Sequence, residues 1–127
     1  MLGDSKAFSG FAVDDLDQAR RFYGETLGLK TTMLDEENGV MALNIAGDRD
    51  TILYAKPDFV PATYTVLNFP VDDIDEAVDG LLARGIELER YEQMPQDEKG
   101  VMREAGPSIA WFKDPAGNIL SVLQEPI

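Results

Sequence analysis

Phe11-Ala-Val-Asp-Asp-Leu-Asp-Gln-Ala19 and Phe69-Pro-Val-Asp-Asp-Ile-Asp-Glu-Ala77 are two versions of one pattern. Laid over each other at a constant offset, they agree at the Phe, the Val, all three Asp residues and the Ala. Self-similarity at a fixed spacing is the mark of a duplicated structural unit. In the first copy, the apolar run Ala7-Phe-Ser-Gly-Phe-Ala-Val13 reads as a mostly buried strand that stops at Asp14 and Asp15. The period then changes. Leu16, Ala19, Phe22, Tyr23 and Leu27 fall at steps of three and four, so they share one helical face and leave Arg20, Arg21 and Glu25 to water. Asp15 with Gln18 resembles a capping box, and Gly28 stands where a left-handed C-cap belongs. A helix over 15–27 follows. In the second copy, Asp73 and Glu76 repeat the start, Ile74, Ala77, Val78 and Leu81 repeat the buried face, and Gly85 repeats the stop.

Working outward, strands are expected at Leu29–Leu34, Val40–Ala46 and Thr51–Ala55, with turns at Asp35–Gly39 and Gly47–Asp50. The order is therefore β, α, β, β, β. Lys56–Pro61 carries two prolines and reads as a connector. In the second half, strands are expected at Ile86–Tyr91, Ile109–Phe112 and Ile119–Leu123, the last two joined by the turn-rich Asp114-Pro-Ala-Gly-Asn118. Glu92–Pro107 shows no period, and a loop of that length in a small domain is more often a cover or binding loop than an accident. The expectation is one domain over 1–127, in halves of about 7–55 and 64–124.

Composition narrows the function. The 127 residues contain no cysteine and no histidine, which removes disulfides, thiolate metal sites, the commonest general base and the commonest transition-metal ligand. Ser121 has no histidine to activate it, so a Ser-His-Asp hydrolase is excluded. The 11 glycines are scattered and form no phosphate loop or dinucleotide fingerprint. A formal charge of −13 repels nucleic acids and anionic membrane surfaces. The acidic excess is either a solvated surface or an attraction for a cationic ligand, and both readings are open. The first residues lack a basic, apolar leader and no run is long enough to span a bilayer. The expected place is the cytoplasm.

Val13-Asp-Asp-Leu-Asp, with Phe22-Tyr23 and Leu27-Gly28-Leu29, the repeated Val71-Asp-Asp-Ile-Asp-Glu-Ala77, and Phe112-Lys-Asp-Pro-Ala-Gly-Asn118 together resemble the vicinal oxygen chelate superfamily. This is the glyoxalase, bleomycin resistance and dioxygenase group, and the resemblance runs from about residue 7 to 124. It implies an α+β fold of two βαβββ modules with sheets curled round a cleft, assembled as a homodimer. It also implies four metal-ligand positions, which fall here on Phe8, about Leu53, Val66 and Ser121. Since Phe, Leu and Val offer no ligand atoms, the expectation is a protein with no metal and no other cofactor. An apolar floor there suits a hydrophobic or aromatic ligand.

Three further residues complete the candidate set. Trp111 and Phe112 are adjacent on a strand and must point to opposite faces, so one of them faces the cleft; Trp111 is either core or a stacking surface. Asn68 aligns with Gly10 and by alternation shares a face with Val66, where its amide serves either a structural hydrogen bond or a ligand. Arg103 is either a surface cation or a fork for a substrate carboxylate. Tyr54, Tyr64 and Tyr91 are unranked sources of a phenol. The first reading is a homodimeric module that sequesters a small apolar or aromatic molecule, cationic or neutral. A metal-free lyase, isomerase or dioxygenase-related enzyme and an accessory dimer with a filled cleft are the alternatives.

Overall fold

The paired aspartates do in space what their spacing implies. Asp15 and Asp73 each hold an extended backbone, at φ −135° and −140°, and each accepts a hydrogen bond through Oδ1 at 3.1 Å, from the Gln18 and Glu76 amides. That satisfies one of the donors every helix start leaves open. Gly28 and Gly85 end their helices at φ 77° and 80°, the left-handed region that favours glycine. The computed structural model describes residues 1–47, 50–104 and 106–125. Asp48 and Arg49 of the expected Gly47–Asp50 turn, and Ala105 of the irregular stretch, lie outside the described residues.

The chain forms two compact units, Met1–Pro61 and Ala62–Ile127. In the first, β1 (Gly10–Val13), helix α1 (Leu16–Arg20), β2 (Lys30–Asp35), β3 (Val40–Asn44) and β4 (Thr51–Ala55) give a four-stranded sheet in the order β1-β4-β3-β2. β1 runs parallel to β4, and the other pairs are antiparallel. The first strand is shorter than expected: Ala7, Phe8 and Ser9 precede it. The expected helix over 15–27 is α-helical only to Arg20 and continues as a π-helix over Arg21–Thr26. Leu27 donates to the Phe22 carbonyl, five residues back, at 2.9 Å. Gly24 and Thr26, both weak α-formers, lie in this widened turn. Tyr23 is fully buried there, with its ring centroid 5.2 Å from that of Phe22 and 6.2 Å from that of Phe11.

In the second unit, β5 (Thr65–Pro70), α2 (Ile74–Ala83), β6 (Ser108–Lys113) and β7 (Ile119–Gln124) give a three-stranded sheet in the order β5-β7-β6. β7 is central, parallel to β5 and antiparallel to β6. Ile74, Val78 and Leu81 are buried along α2, as their spacing predicts, and the Ile74 amide donates to Gln124 Oε1 at 2.8 Å, tying helix to sheet.

The strand expected at Ile86–Tyr91 is absent and needs correction. Only Leu88 bridges to Phe112, with the Glu89 amide bound to the Trp111 carbonyl at 2.8 Å. The Gln96 side chain takes the groups a longer ladder would use: its Oε1 accepts from the Tyr91 amide at 2.7 Å and its Nε2 donates to the Glu89 and Gly100 carbonyls at 2.9 and 2.8 Å. The second βαβββ module thus has its first post-helix strand reduced to a bridge. Among the described residues no helix is long and apolar enough to cross a membrane.

Gly10 is required for a reason the sequence does not display. A Cβ there would lie 2.8 Å from the carbonyl oxygen of Ile52, its partner on β4. Real Cβ atoms do not approach backbone that closely, so Gly10→Ala is expected to push β1 from β4 and lower stability by about 1–3 kcal/mol. Urea unfolding with an unchanged midpoint would contradict this.

Candidate functional site

The central position of β7 fixes which face of the second sheet holds each candidate. Trp111 pairs with Ser121 across β6 and β7, and Asn68 pairs with Ser121 across β5 and β7, so the three form one row over the sheet. Strand alternation puts Phe112 on the face opposite Trp111. Gln124, which holds the start of α2, lies three residues beyond Ser121 and so marks Phe112's face as the helix side. Phe112 is 1% exposed and Trp111 is 9% exposed. Trp111 therefore faces away from α2, where it lines a cavity of about 350 Å³.

Three segments build that cavity. Thr63, Tyr64 and Thr65 come from the start of β5; Tyr91, Gln93 and Met94 come from the long loop; Trp111 and Ile119 come from β6 and β7. Tyr91 and Trp111 meet at a corner, ring centroids 5.5 Å apart and planes at 72°. This edge-to-face contact is a favoured aromatic geometry. Tyr64 is 70% exposed at the rim. The Tyr91 hydroxyl is shielded from solvent and has no hydrogen-bond partner among the described residues. Burial, and secondarily the Glu89 carboxylate, hold its phenol above the usual range, so it stays protonated at neutral pH. None of the eight lining side chains is then charged at neutral pH.

The loop that carries Gln93 and Met94 is tied down at several points. Asp97 Oδ1 accepts from the Lys99 and Val101 amides, both at 2.9 Å, and its Oδ2 accepts from Arg103 Nε at 2.8 Å. Arg103 Nη2 also reaches Asp75 Oδ1 on α2 at 2.7 Å, while Lys99 Nζ meets Asp75 at 3.2 Å and Asp79 at 2.9 Å. The Arg103 and Lys99 cations beside it hold the Asp75 carboxyl below its usual range. For Asp97, burial pushes upward, but the Arg103 contact and the two amides outweigh it, and the net direction is down. Both carboxylates have folded-state values below their unfolded ones, so what they contribute is present above the ordinary carboxylate range and lost as pH falls from there through the lowered folded-state values.

The other candidates are placed as follows. Asn68 is exposed, and its Oδ1 accepts from the buried Ser121 hydroxyl at 2.5 Å. Val66 is half-buried at a register shift between Thr65 and Leu67, which breaks the alternation that would set it beside Asn68; Thr65 lines the cavity instead. In the first unit, Leu53 is fully buried between Phe11 and Met41, while Phe8, ahead of β1, is 67% exposed. Tyr54 is exposed on β4. Arg103 stands with Asp75 and Asp97, outside the cavity wall. Among the described residues no group of three or more Asp or Glu side chains is placed to hold a metal ion. Sequence reasoning missed Thr63, Thr65, Gln93, Met94 and Ile119 as lining residues; the unexplained length of the Glu92–Pro107 loop was the signal for two of them.

The chain belongs to the glyoxalase/bleomycin resistance protein/dioxygenase superfamily, whose sequence model matches residues 8–122. Its fold is shared with a putative glyoxalase family protein from Bacillus anthracis, at 23% identity and TM-score 0.72, with 99% of this chain and 100% of that chain covered. A superfamily member from Sphaerobacter thermophilus DSM 20745 is similar at 23% identity and TM-score 0.73, covering 98% and 100%. TnmS3, an antibiotic binding protein from Streptomyces sp. CB03234, is similar at 22% identity and TM-score 0.69, covering 97% and 98%. No curated protein matches the chain.

The unpaired Tyr91 hydroxyl makes a direct test of the cavity wall. A shielded polar group without a partner costs about 1–3 kcal/mol. Tyr91→Phe is therefore expected to raise stability by about 1 kcal/mol, seen as a higher urea midpoint at constant slope. A fall of similar size would mean that the hydroxyl has a partner in solution.

Proposed function

We propose that this protein binds a small planar, apolar or aromatic molecule in the cavity beside Trp111 and holds it without chemical change, as a sequestering or resistance protein does. One observation carries the reading: the cavity of about 350 Å³ is walled by Trp111, Tyr91, Tyr64, Met94 and Ile119, and no lining side chain is charged at neutral pH. Its size is that of small-molecule sites, and such walls offer contact area and a few neutral dipoles. They offer no carboxylate, imidazole or ammonium to move a proton, which favours binding over the enzyme reading. The presence of an open cavity in the second unit speaks against the accessory dimer with a filled cleft. The antibiotic-binding relative supports the same direction.

Titration with neutral naphthalene or quinoline derivatives is expected to change the fluorescence of Trp111, the single tryptophan. Calorimetry on a folded Trp111→Ala variant is expected to show binding weakened by on the order of 1 kcal/mol beyond the lost area. No fluorescence change and no thermal stabilisation across such a panel would refute the reading.

The proposed protein works without a metal. At the positions where the family holds one, Phe8, Leu53 and Val66 carry no donor atom, and the Ser121 hydroxyl is committed to Asn68. That donor set does not fit a divalent ion. Zn²⁺, Ni²⁺, Fe²⁺ and Mn²⁺ are expected to bind only adventitiously; stoichiometric metal on elemental analysis, lost with a change in melting temperature on chelation, would contradict this.

We also propose a C2 homodimer in the cytoplasm. β1, β2 and β5 are edge strands, and Phe8, Leu34, Tyr54 and Val60 are exposed apolar side chains that a second copy could cover. Light scattering is expected to give twice the 14.0 kDa chain mass, and the single-chain mass at all concentrations would overturn it.

A further inference from the structure

We infer that Asn38 is a modification site: its side chain loses ammonia spontaneously to attack by the Gly39 nitrogen, and the acid that results opposes Asp35 and loosens the turn between β2 and β3. The inference goes beyond the reading of the cavity and stands independently of it. Asn38 lies exposed in Asp35-Glu-Glu-Asn-Gly39, the segment that joins the two strands. In such a reaction the nucleophile is the backbone nitrogen of the following residue, and a side chain on that residue stands in its way. Gly39 has none, and its amide donates no hydrogen bond among the described residues. The other asparagines lack this combination. Asn44 and Asn68 are held in β3 and β5 and precede Ile45 and Phe69. Asn118 is 2% exposed, precedes Ile119, and donates to Asp114 through both its backbone and side-chain nitrogens.

The step exchanges one carbon–nitrogen bond for another. The Gly39 nitrogen gives up its proton and attacks Asn38 Cγ. The new bond closes a cyclic imide as the Cγ–Nδ2 bond breaks, and ammonia departs with that proton. Water then adds to either imide carbonyl. One opening leaves aspartate at position 38; the other leaves isoaspartate, which routes the main chain through Cγ and lengthens it by a carbon.

Asp35 acts both before and after this step. Asn38 Nδ2 donates to Asp35 Oδ2 at 2.8 Å, and the Asn38 amide donates to Asp35 Oδ1 at 3.0 Å. These bonds hold the Asp35 carboxyl below its usual range, so it is ionised at neutral pH. The carboxamide must leave this clasp to turn toward Gly39, which slows the attack. Once a carboxylate replaces the carboxamide, a hydrogen bond becomes a meeting of like charges, in a turn that already carries Glu36 and Glu37. β2 is an edge strand whose register shifts between Met33 and Asp35, beside this turn, so the hairpin has little else to hold it there.

The test holds the intact protein at mildly alkaline pH, where the nucleophile forms, and follows its peptides by tandem mass spectrometry. Asn38 is expected to convert severalfold faster than Asn44, Asn68 or Asn118, to pass through an imide lighter by one ammonia, and to give both aspartate and isoaspartate. Asp35→Ala is expected to speed the conversion severalfold. Asn38→Gln, whose ring closure is slower, is expected to stay intact over the same period. Asn38→Asp, which makes the aspartate product directly, is expected to unfold at a lower urea midpoint than the parent, with part of the loss recovered at high salt. Conversion at Asn38 no faster than at the other asparagines overturns the site. A rate unchanged by Asp35→Ala, or a midpoint unchanged by Asn38→Asp, overturns the part given to Asp35.

Discussion

β7 is the strand that holds the sheet of the second unit together. It pairs with β5 on one side and β6 on the other, and Leu120, Ser121 and Val122 at its centre are all buried. A strand held on both edges cannot slip by one residue without turning its whole set of side chains over. Its register therefore decides that Phe112 looks to α2 and Trp111 to the cavity. Gln124 at its end accepts from the first amide of α2, so the same strand also anchors the helix. Ser121, buried in the middle of the row, donates its hydroxyl to the exposed Asn68 at 2.5 Å, which satisfies the buried polar group.

The loop over the cavity is ordered by hydrogen bonds more than by burial. Gln96 makes three bonds to backbone and Asp97 accepts from two amides, and these close the loop on itself. The ion pairs that join it to α2 are solvent-accessible, with the Arg103 and Lys99 side chains 39% and 33% accessible, and such pairs each contribute little. Met94, which the loop presents to the cavity, is itself exposed. The loop side of the wall, Gln93 and Met94, is exposed, whereas Trp111, Thr65 and Ile119 are fixed by the strands that carry them.

Much of this was legible in the sequence. The repeated Val-Asp-Asp anchors located both helices because a cap has a fixed spacing to the amide it serves, and Gly28 and Gly85 marked their ends because few residues tolerate positive φ. The adjacent Trp111 and Phe112 announced opposite faces, but which face was which depended on Gln124 and α2, a long-range contact that no local pattern encodes. The Ile86–Tyr91 stretch has strand-like side chains and is not a strand because Gln96, a residue of the loop, uses its backbone groups. Val66 is where a register shift interrupts the alternation, and a shift of that kind leaves no trace in composition. The cavity wall was only partly visible for the same reason: Thr63, Thr65 and Ile119 come together through pairing of β5 with β7, not through proximity in the chain.

The central claim is one of location: the ligand lies against Trp111 and Tyr91 in the second unit. Intermolecular nuclear Overhauser effects between a bound naphthalene-type probe and isotope-labelled protein test it most directly. The account expects contacts from the probe to the Trp111 and Tyr91 rings, the Met94 methyl and the Ile119 side chain. A saturated complex whose contacts all lie elsewhere, with the Trp111 resonances unshifted, would contradict it.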